Sequence, residues 1–370
     1  MKISEKKIWK KFKAICFGIF LGLLCCEIFL RIYNPLPFSI KKGKLILSAN
    51  QRKVFTNNWI HKLDKKIYFS KNSLGFRGPE PPDSLPKMIS ILTIGGSTTA
   101  CTFLSDSCTW PFLLYQELKS RNSNVWLNNA GIDGHSTFGH LLLLKEYVLK
   151  LKPKFVLLMT GINDVEEEIP DEFDLMTEKK INTRSFKGFI KSLLNYTELG
   201  RTAFNFYHVQ LAYKKGLVHK EVNFADLPDN PLPDSFIGKE LEKQKPYINA
   251  YRERINKIVT ECMQAGIRPI LITQPSLFGS YTDSVTQIQM ANKSAKKKAG
   301  ENCLLNGKKL ELYNDVLRSY SGRLTVIDLS GEMPKNSKYY YDFIHFTNEG
   351  AQRVSKILFT HLEPVLFNKD

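Results

Sequence analysis

The stretch MISILTIGGSTTA, Met88–Ala100, decides the fold. A short apolar run closed by turn residues reads as a buried strand. Here Gly95, Gly96 and Ser97 follow that run without a break. Two glycines permit a sharp turn with unusual dihedrals, and such a turn holds the Ser97 hydroxyl at the sheet edge. By itself the motif is more often a plain turn. It is not a P-loop, because no lysine follows in the G-K-[ST] arrangement. Nor is it the G-x-S-x-G elbow.

Working outward, the same rhythm repeats. WPFLLYQELKSR (110–121) predicts a helix, VWLNNAG (125–131) a strand entering a loop, TFGHLLLLKEYVLKL (137–151) a helix and KFVLLMTG (154–161) a strand. Further on, helices are expected over 247–266 and 310–320, and strands over 268–275 and 324–330. A last helix starts at a capping threonine, Thr347. Strands alternating with helices imply an α/β fold, a parallel sheet covered on both faces. In such sheets ligands gather at the carboxyl ends of the strands.

Two regions break the rhythm. Residues 34–87, with six prolines, read as an irregular tether and lead-in. Residues 165–245 turn from acidic to basic and end in DLPDNPLPDS. A structureless loop of that length would be unusual, so an inserted cap with its own helix around 186–215 is expected.

The N-terminus carries six lysines and one glutamate in thirteen residues, followed by AICFGIFLGLLCCEIFLRIY (14–33). Residues 14–26 are uncharged, which is short for a spanning helix. Glu27 and Arg31, four apart, can pair along the helix face or snorkel to the interface, and so extend the span to about 20 residues. Lysines before the segment predict residues 1–13 in the cytoplasm and the rest of the chain translocated, on the periplasmic or extracytoplasmic side. An uncleaved signal anchor is the expected reading. A cleaved peptide and a lipoprotein are the alternatives, disfavoured by the lack of an A-x-A site and by Leu24 before Cys25.

Of 370 residues, 43% are hydrophobic and 24% charged, ordinary for a globular chain. The net charge of +17 suits an anionic membrane surface. No zinc finger, RNA-binding signature or basic zipper is present, so no nucleic-acid partner is expected. The seven cysteines match no zinc spacing. Cys101 and Cys108 can pair in an oxidising compartment or remain separate thiols; spacing does not decide.

Three further blocks carry chemistry. NNAGIDGHST (128–137) places Gly131 and Gly134 after a strand, where backbone N–H groups can face an anion. TGINDV (160–165) places Asn163 at a strand end, where its amide can donate to an oxyanion. YYYDFIHFTNEGA (339–351) places Asp342 and His345 three apart. One turn can bring the carboxylate to one imidazole nitrogen and leave the other free as a base. Singly, each block is usually structural.

In this order the four blocks resemble the SGNH/GDSL hydrolase family. NSLGFRGPE (72–80) also looks like the lead-in of its membrane-anchored bacterial members. The resemblance implies a flavodoxin-like three-layer α/β/α domain over 88–365, with 165–245 inserted. It implies a serine esterase with Ser97 as nucleophile, His345 as general base and then acid, and Asp342 orienting it. Oxyanion donors would be the Ser97 and Gly134 N–H groups and the Asn163 side chain. No metal or organic cofactor is required. One departure is that the usual Gly-Asp-Ser is Gly95-Gly96-Ser97 here. The expected substrate is an acyl ester, acetyl or short-chain, of a cell-envelope glycan or lipid. The alternatives are an O-acyltransferase with the same triad and an inactive glycan-binding protein.

Overall fold

A computed structural model describes residues 2–33, 38–41, 44–167, 197–200, 202–203, 206, 219–294 and 300–367. The chain divides into two compact units, residues 1–48 with 176–218 and residues 49–175 with 219–370.

In the first unit, helix α1 runs from Lys2 to Ile32. It starts well before the expected residue 14, because the lysine-rich lead-in contains no helix breaker. Residues 8–32 have the length and composition of a membrane anchor or a signal sequence, and their apolar side chains are exposed. Of the two arrangements open to Glu27 and Arg31, the pair along the helix face forms, at 2.9 Å. Strands β1 (Phe38–Lys41) and β2 (Lys44–Leu47) make an antiparallel hairpin.

The second unit opens with another antiparallel hairpin, β3 (Gln51–Thr56) and β4 (Lys66–Lys71). The lead-in is therefore regular in part. Pro79, Pro81, Pro82 and Pro86 lie outside its strands, and residues 49–87 belong to the compact unit that holds the sheet.

The main sheet starts with β5 (Ile89–Gly95), followed by the short helix α2 (Ser97–Ala100) and then α3 (Trp110–Arg121). Next come β6 (Val125–Asn129), α4 (Thr137–Leu143) and β7 (Phe155–Met159). Helix α4 continues as a π turn, Leu144–Val148, and a last turn, Leu149–Leu151, so the helix expected over 137–151 is interrupted rather than regular. After the insertion come α5 (Asp234–Glu242), α6 (Lys245–Gln264), β8 (Arg268–Ile272) and α7 (Cys303–Arg318). The chain closes with β9 (Val326–Ile327), α8 (Leu329–Glu332) and α9 (Asn348–Phe367).

The five strands are parallel in the order β6-β5-β7-β8-β9. This is the flavodoxin-like order, whose switch point lies between β5 and β7. Strand β9 is shorter than the expected 324–330. The Asp328 carboxylate takes hydrogen bonds from Thr273 and Arg318, and a helical turn starts at Leu329. Strands β6 and β7 are buried throughout, as a sheet covered on both faces requires. Helix α3 packs on α9, while α6 packs on α4, α7 and β8. Much of the insertion lies outside the described residues; where a helix is expected around 186–215, residues 198–200, 202–203 and 206 are described and are helical, and α5 forms at the C-terminal end of the insertion.

Candidate active site

The carboxyl ends of β5, β6 and β7 bring the first three blocks together. Ser97 begins α2 directly after β5 and is 7% exposed. The two glycines before it serve close approach rather than unusual dihedrals. Gly96 has φ −80°, open to any residue. A Cβ at Gly95, however, would lie 2.1 Å from Thr99 Oγ1 and 2.6 Å from the Met159 carbonyl oxygen. A Cβ at Gly96 would lie 2.5 Å from Asn163 Nδ2. The missing side chain of Gly96 thus makes room for the Asn163 amide.

Helix α2 has a single turn, and its carbonyls look for partners outside it. Each partner comes from a different place. Trp110 Nε1 donates to Thr98 O at 2.9 Å, and Asn129 Nδ2 donates to Thr99 O at 2.8 Å. Arg77 Nη1 donates to Ala100 O at 2.7 Å and Cys101 O at 2.9 Å. Arg77 is buried, and its other nitrogens reach Leu104 O and the Asp106 carboxylate. The lead-in motif 72–80 therefore contributes the clamp of the serine turn. Thr98 Oγ1 also donates to Gln274 Oε1 after β8.

The 160–165 and 128–137 blocks are tied by one buried carboxylate. Asp164 accepts from Thr137 N at 3.0 Å, Thr160 Oγ1 at 2.9 Å and Arg254 Nη2 at 3.2 Å on α6, as well as from Thr137 Oγ1. Asn163 Nδ2 donates to the His135 carbonyl at 2.9 Å. That carbonyl also lies beside Gly96, 3.2 Å from where its Cβ would be. Gly134 sits one residue before, in the left-handed region at φ +76°, which only glycine adopts without strain. Asn163 and the Gly134 loop thus flank the Ser97 turn. His135 and His140 lie behind it. Burial first, and then the neighbouring His140, bring the His135 pKa down to about 3; burial brings that of His140 down to about 4 against the pull of Asp164.

The fourth block closes the constellation. His345 Nε2 is 2.7 Å from Ser97 Oγ, and His345 Nδ1 is 2.6 Å from Asp342 Oδ2. The other carboxylate oxygen of Asp342 accepts from the backbone N–H groups of Ile344 at 2.8 Å and His345 at 2.7 Å. Burial alone would raise the Asp342 pKa. The charge of His345 and these hydrogen bonds outweigh it and hold the carboxyl below its ordinary value. Thr347 Oγ1 accepts from Gly350 N and caps α9, as its position predicted.

One neighbour escaped sequence reasoning. His219, from within the 165–245 insertion, packs its ring 4.1 Å from that of His345. No spacing marks it, since its partners lie more than a hundred residues away. Cys101 and Cys108 are free thiols, so the pairing left open by their spacing is absent. Burial pushes the Cys101 thiol up to about 12. Among the described residues, no group of three His, Cys, Asp or Glu side chains is placed to hold a metal ion.

The arrangement suits nucleophilic acyl transfer: hydroxyl, base and orienting carboxylate in one hydrogen-bonded line, with an amide beside the nucleophile. The chain is similar in structure to LAE5, an alpha/beta hydrolase enzyme from the metagenome of Lake Arreo, Spain (16% identity, TM-score 0.42, 76% of this chain and 98% of that one). It is also similar to Axe2, an acetylxylan esterase from Geobacillus stearothermophilus (12%, 0.40, 75% and 94%), and to TesA (13%, 0.41, 74% and 98%). No curated protein sequence matches it. Residues 93–353, more than half of the chain, match the model of the GDSL-like Lipase/Acylhydrolase family, and the protein belongs to that family.

Proposed function

We propose that this carboxylic ester hydrolase uses Ser97 as nucleophile, His345 as base and Asp342 as its orienting partner. The line Ser97–His345–Asp342, with links of 2.7 and 2.6 Å, carries the reading. His345 Nε2 takes the Ser97 proton as Oγ attacks the ester carbonyl. The carbonyl oxygen becomes an oxyanion, held by the Ser97 and Gly134 N–H groups and by Asn163. An amide has two N–H bonds; one serves His135 O, and the other is available to the oxyanion. His345 then protonates the leaving alcohol, and water repeats the steps to release the acid.

The substrate class proposed is an acetyl or short-chain ester of a cell-envelope glycan or lipid, met on the extracytoplasmic side of a membrane. The anchor-like helix over residues 8–32 and the lysines before it support this placement. The domain is proposed to span 88–365, with 165–245 capping the site and selecting the substrate.

The test is hydrolysis of p-nitrophenyl acetate, butyrate and octanoate by the detergent-solubilised chain, with S97A and H345A beside it. Acetate turnover that both variants lose is the expected result. A folded parent no more active than its variants would overturn the hydrolase reading and turn attention to transfer onto glycan hydroxyls.

A further inference from the structure

Residues 219–222, within the insertion, do more than return the chain to the sheet. Val222 N donates to Tyr341 O at 2.9 Å, beside Asp342. The Glu221 carboxylate accepts from the backbone N–H groups of His61 and Lys62. Lys62 Nζ in turn donates to Ser337 O at 2.9 Å and Tyr340 O at 3.1 Å. Residues 219–222 are thus pinned at several points to the loop that carries Asp342 and His345.

His219 is what this pinning delivers. Its ring lies 4.1 Å from the His345 ring, and Phe103 packs on it at 4.8 Å. His219 Nδ1 is 2.7 Å from Tyr341 Oη. Tyr341 itself stacks on His345 at 5.5 Å with the planes 10° apart. His345, His219 and Tyr341 therefore form a closed triangle of rings, and the hydrogen bond ties the two outer ones together.

We propose that His219 is a positioning residue for His345, its ring holding the imidazole in line with Ser97 and its Nδ1 locking that ring to Tyr341. The proposal rests on the Ser97–His345–Asp342 reading above. Asp342 alone fixes one nitrogen of His345, about which the ring can still swing. A ring packed against it removes that freedom. The partner must also tolerate the imidazolium that His345 becomes, and a second cation there would oppose it. Burial first, and then the charge of His345, bring the His219 pKa down to about 4 against the pull of Asp133 and Asp342. His219 is therefore neutral at the pH of the reaction. Burial likewise raises the Tyr341 phenol well above 10, so it too stays uncharged.

The experiment measures kcat and KM for p-nitrophenyl acetate with the full chain in detergent. The variants are H219A, H219F and Y341F, with S97A alongside. Misplacing a reacting group by about 1 Å can cost a hundredfold. H219A is expected to lower kcat by about 10- to 100-fold with little change in KM. H219F, which keeps a ring but lacks Nδ1, should recover most of that loss, and Y341F should match H219F. A folded H219A with unchanged kcat would overturn the proposal, as would a loss confined to KM. If H219A does not fold, H219F and Y341F decide: wild-type kcat in both removes the role of the Nδ1–Tyr341 lock. Activity surviving in S97A would instead sink the triad reading, independently of the His219 variants.

Discussion

The two halves of the candidate site are built in opposite ways. The base half, Asp342–His345, is local: one turn supplies the carboxylate, the imidazole and two backbone N–H groups that orient the carboxylate. The serine half is collective. Its four-residue helix is held by Trp110, Asn129, Arg77 and Gln274, which come from four separate stretches of chain. A local device tolerates change elsewhere and is lost with one of its own residues. A collective one fails by degrees, as each distant support is removed.

The sharpest contrast comes from the base half. H345A should lower kcat at least about 10⁴-fold, since triad members act as a unit. Its melting temperature should fall as well, because His345 also pairs with buried Asp342 and packs against the His219 and Tyr341 rings. Asn163→Ala removes a proposed oxyanion donor and should cost about 10²–10³ in kcat. Gly96→Ala tests the same amide from below. Its methyl would displace Asn163, so a loss of at least about tenfold in kcat is expected, and full activity would show that Asn163 needs no such room.

Arg77 tests the collective half. R77K keeps the charge but cannot span two carbonyls, Leu104 O and Asp106 together. Urea unfolding should show a loss of about 2–3 kcal/mol, with a partial fall in activity. Equal stability in R77K would mean that charge, not the planar fork, holds the serine turn.

Acid separates the halves in another way. His135 and His140 are neutral when folded, with pKa values below the ordinary 6.5. The unfolded chain binds those protons first, so their contribution is complete above about pH 6.5 and declines as pH falls. Asp342, held below its ordinary 3.8, has its full contribution above that value and loses it as pH falls from there through its depressed value. Denaturant midpoints should therefore drop between about pH 6.5 and 4, before Asp342 titrates. A flat profile over that window would contradict the burial of the two histidines.

The same contrast explains what could be read from the sequence. The base half was legible because its chemistry lies within Asp342–Thr347. Strand β5 and helix α3 were legible because periodicity and capping are local; the helix expected over 110–121 forms over those residues. Arg77 stood in a motif that was noticed, yet its role needs the fold to bring it to Ala100 and Cys101. His219 stood in no motif at all. The hairpins before residue 72 were hidden by prolines and by charged strands such as Gln51–Thr56, which show no clear alternation. The glycine pair was read as a dihedral device, but the constraint is the closeness of Thr99, Met159 and Asn163, which sequence order does not display.

The central claim is that His345 activates Ser97. It is tested most directly by labelling the full chain in detergent with a serine-directed fluorophosphonate and mapping the adduct by mass spectrometry. The account predicts a single stoichiometric adduct on Ser97 that forms far more slowly in H345A. Labelling that ignores the loss of His345, or an adduct on another serine, would contradict it.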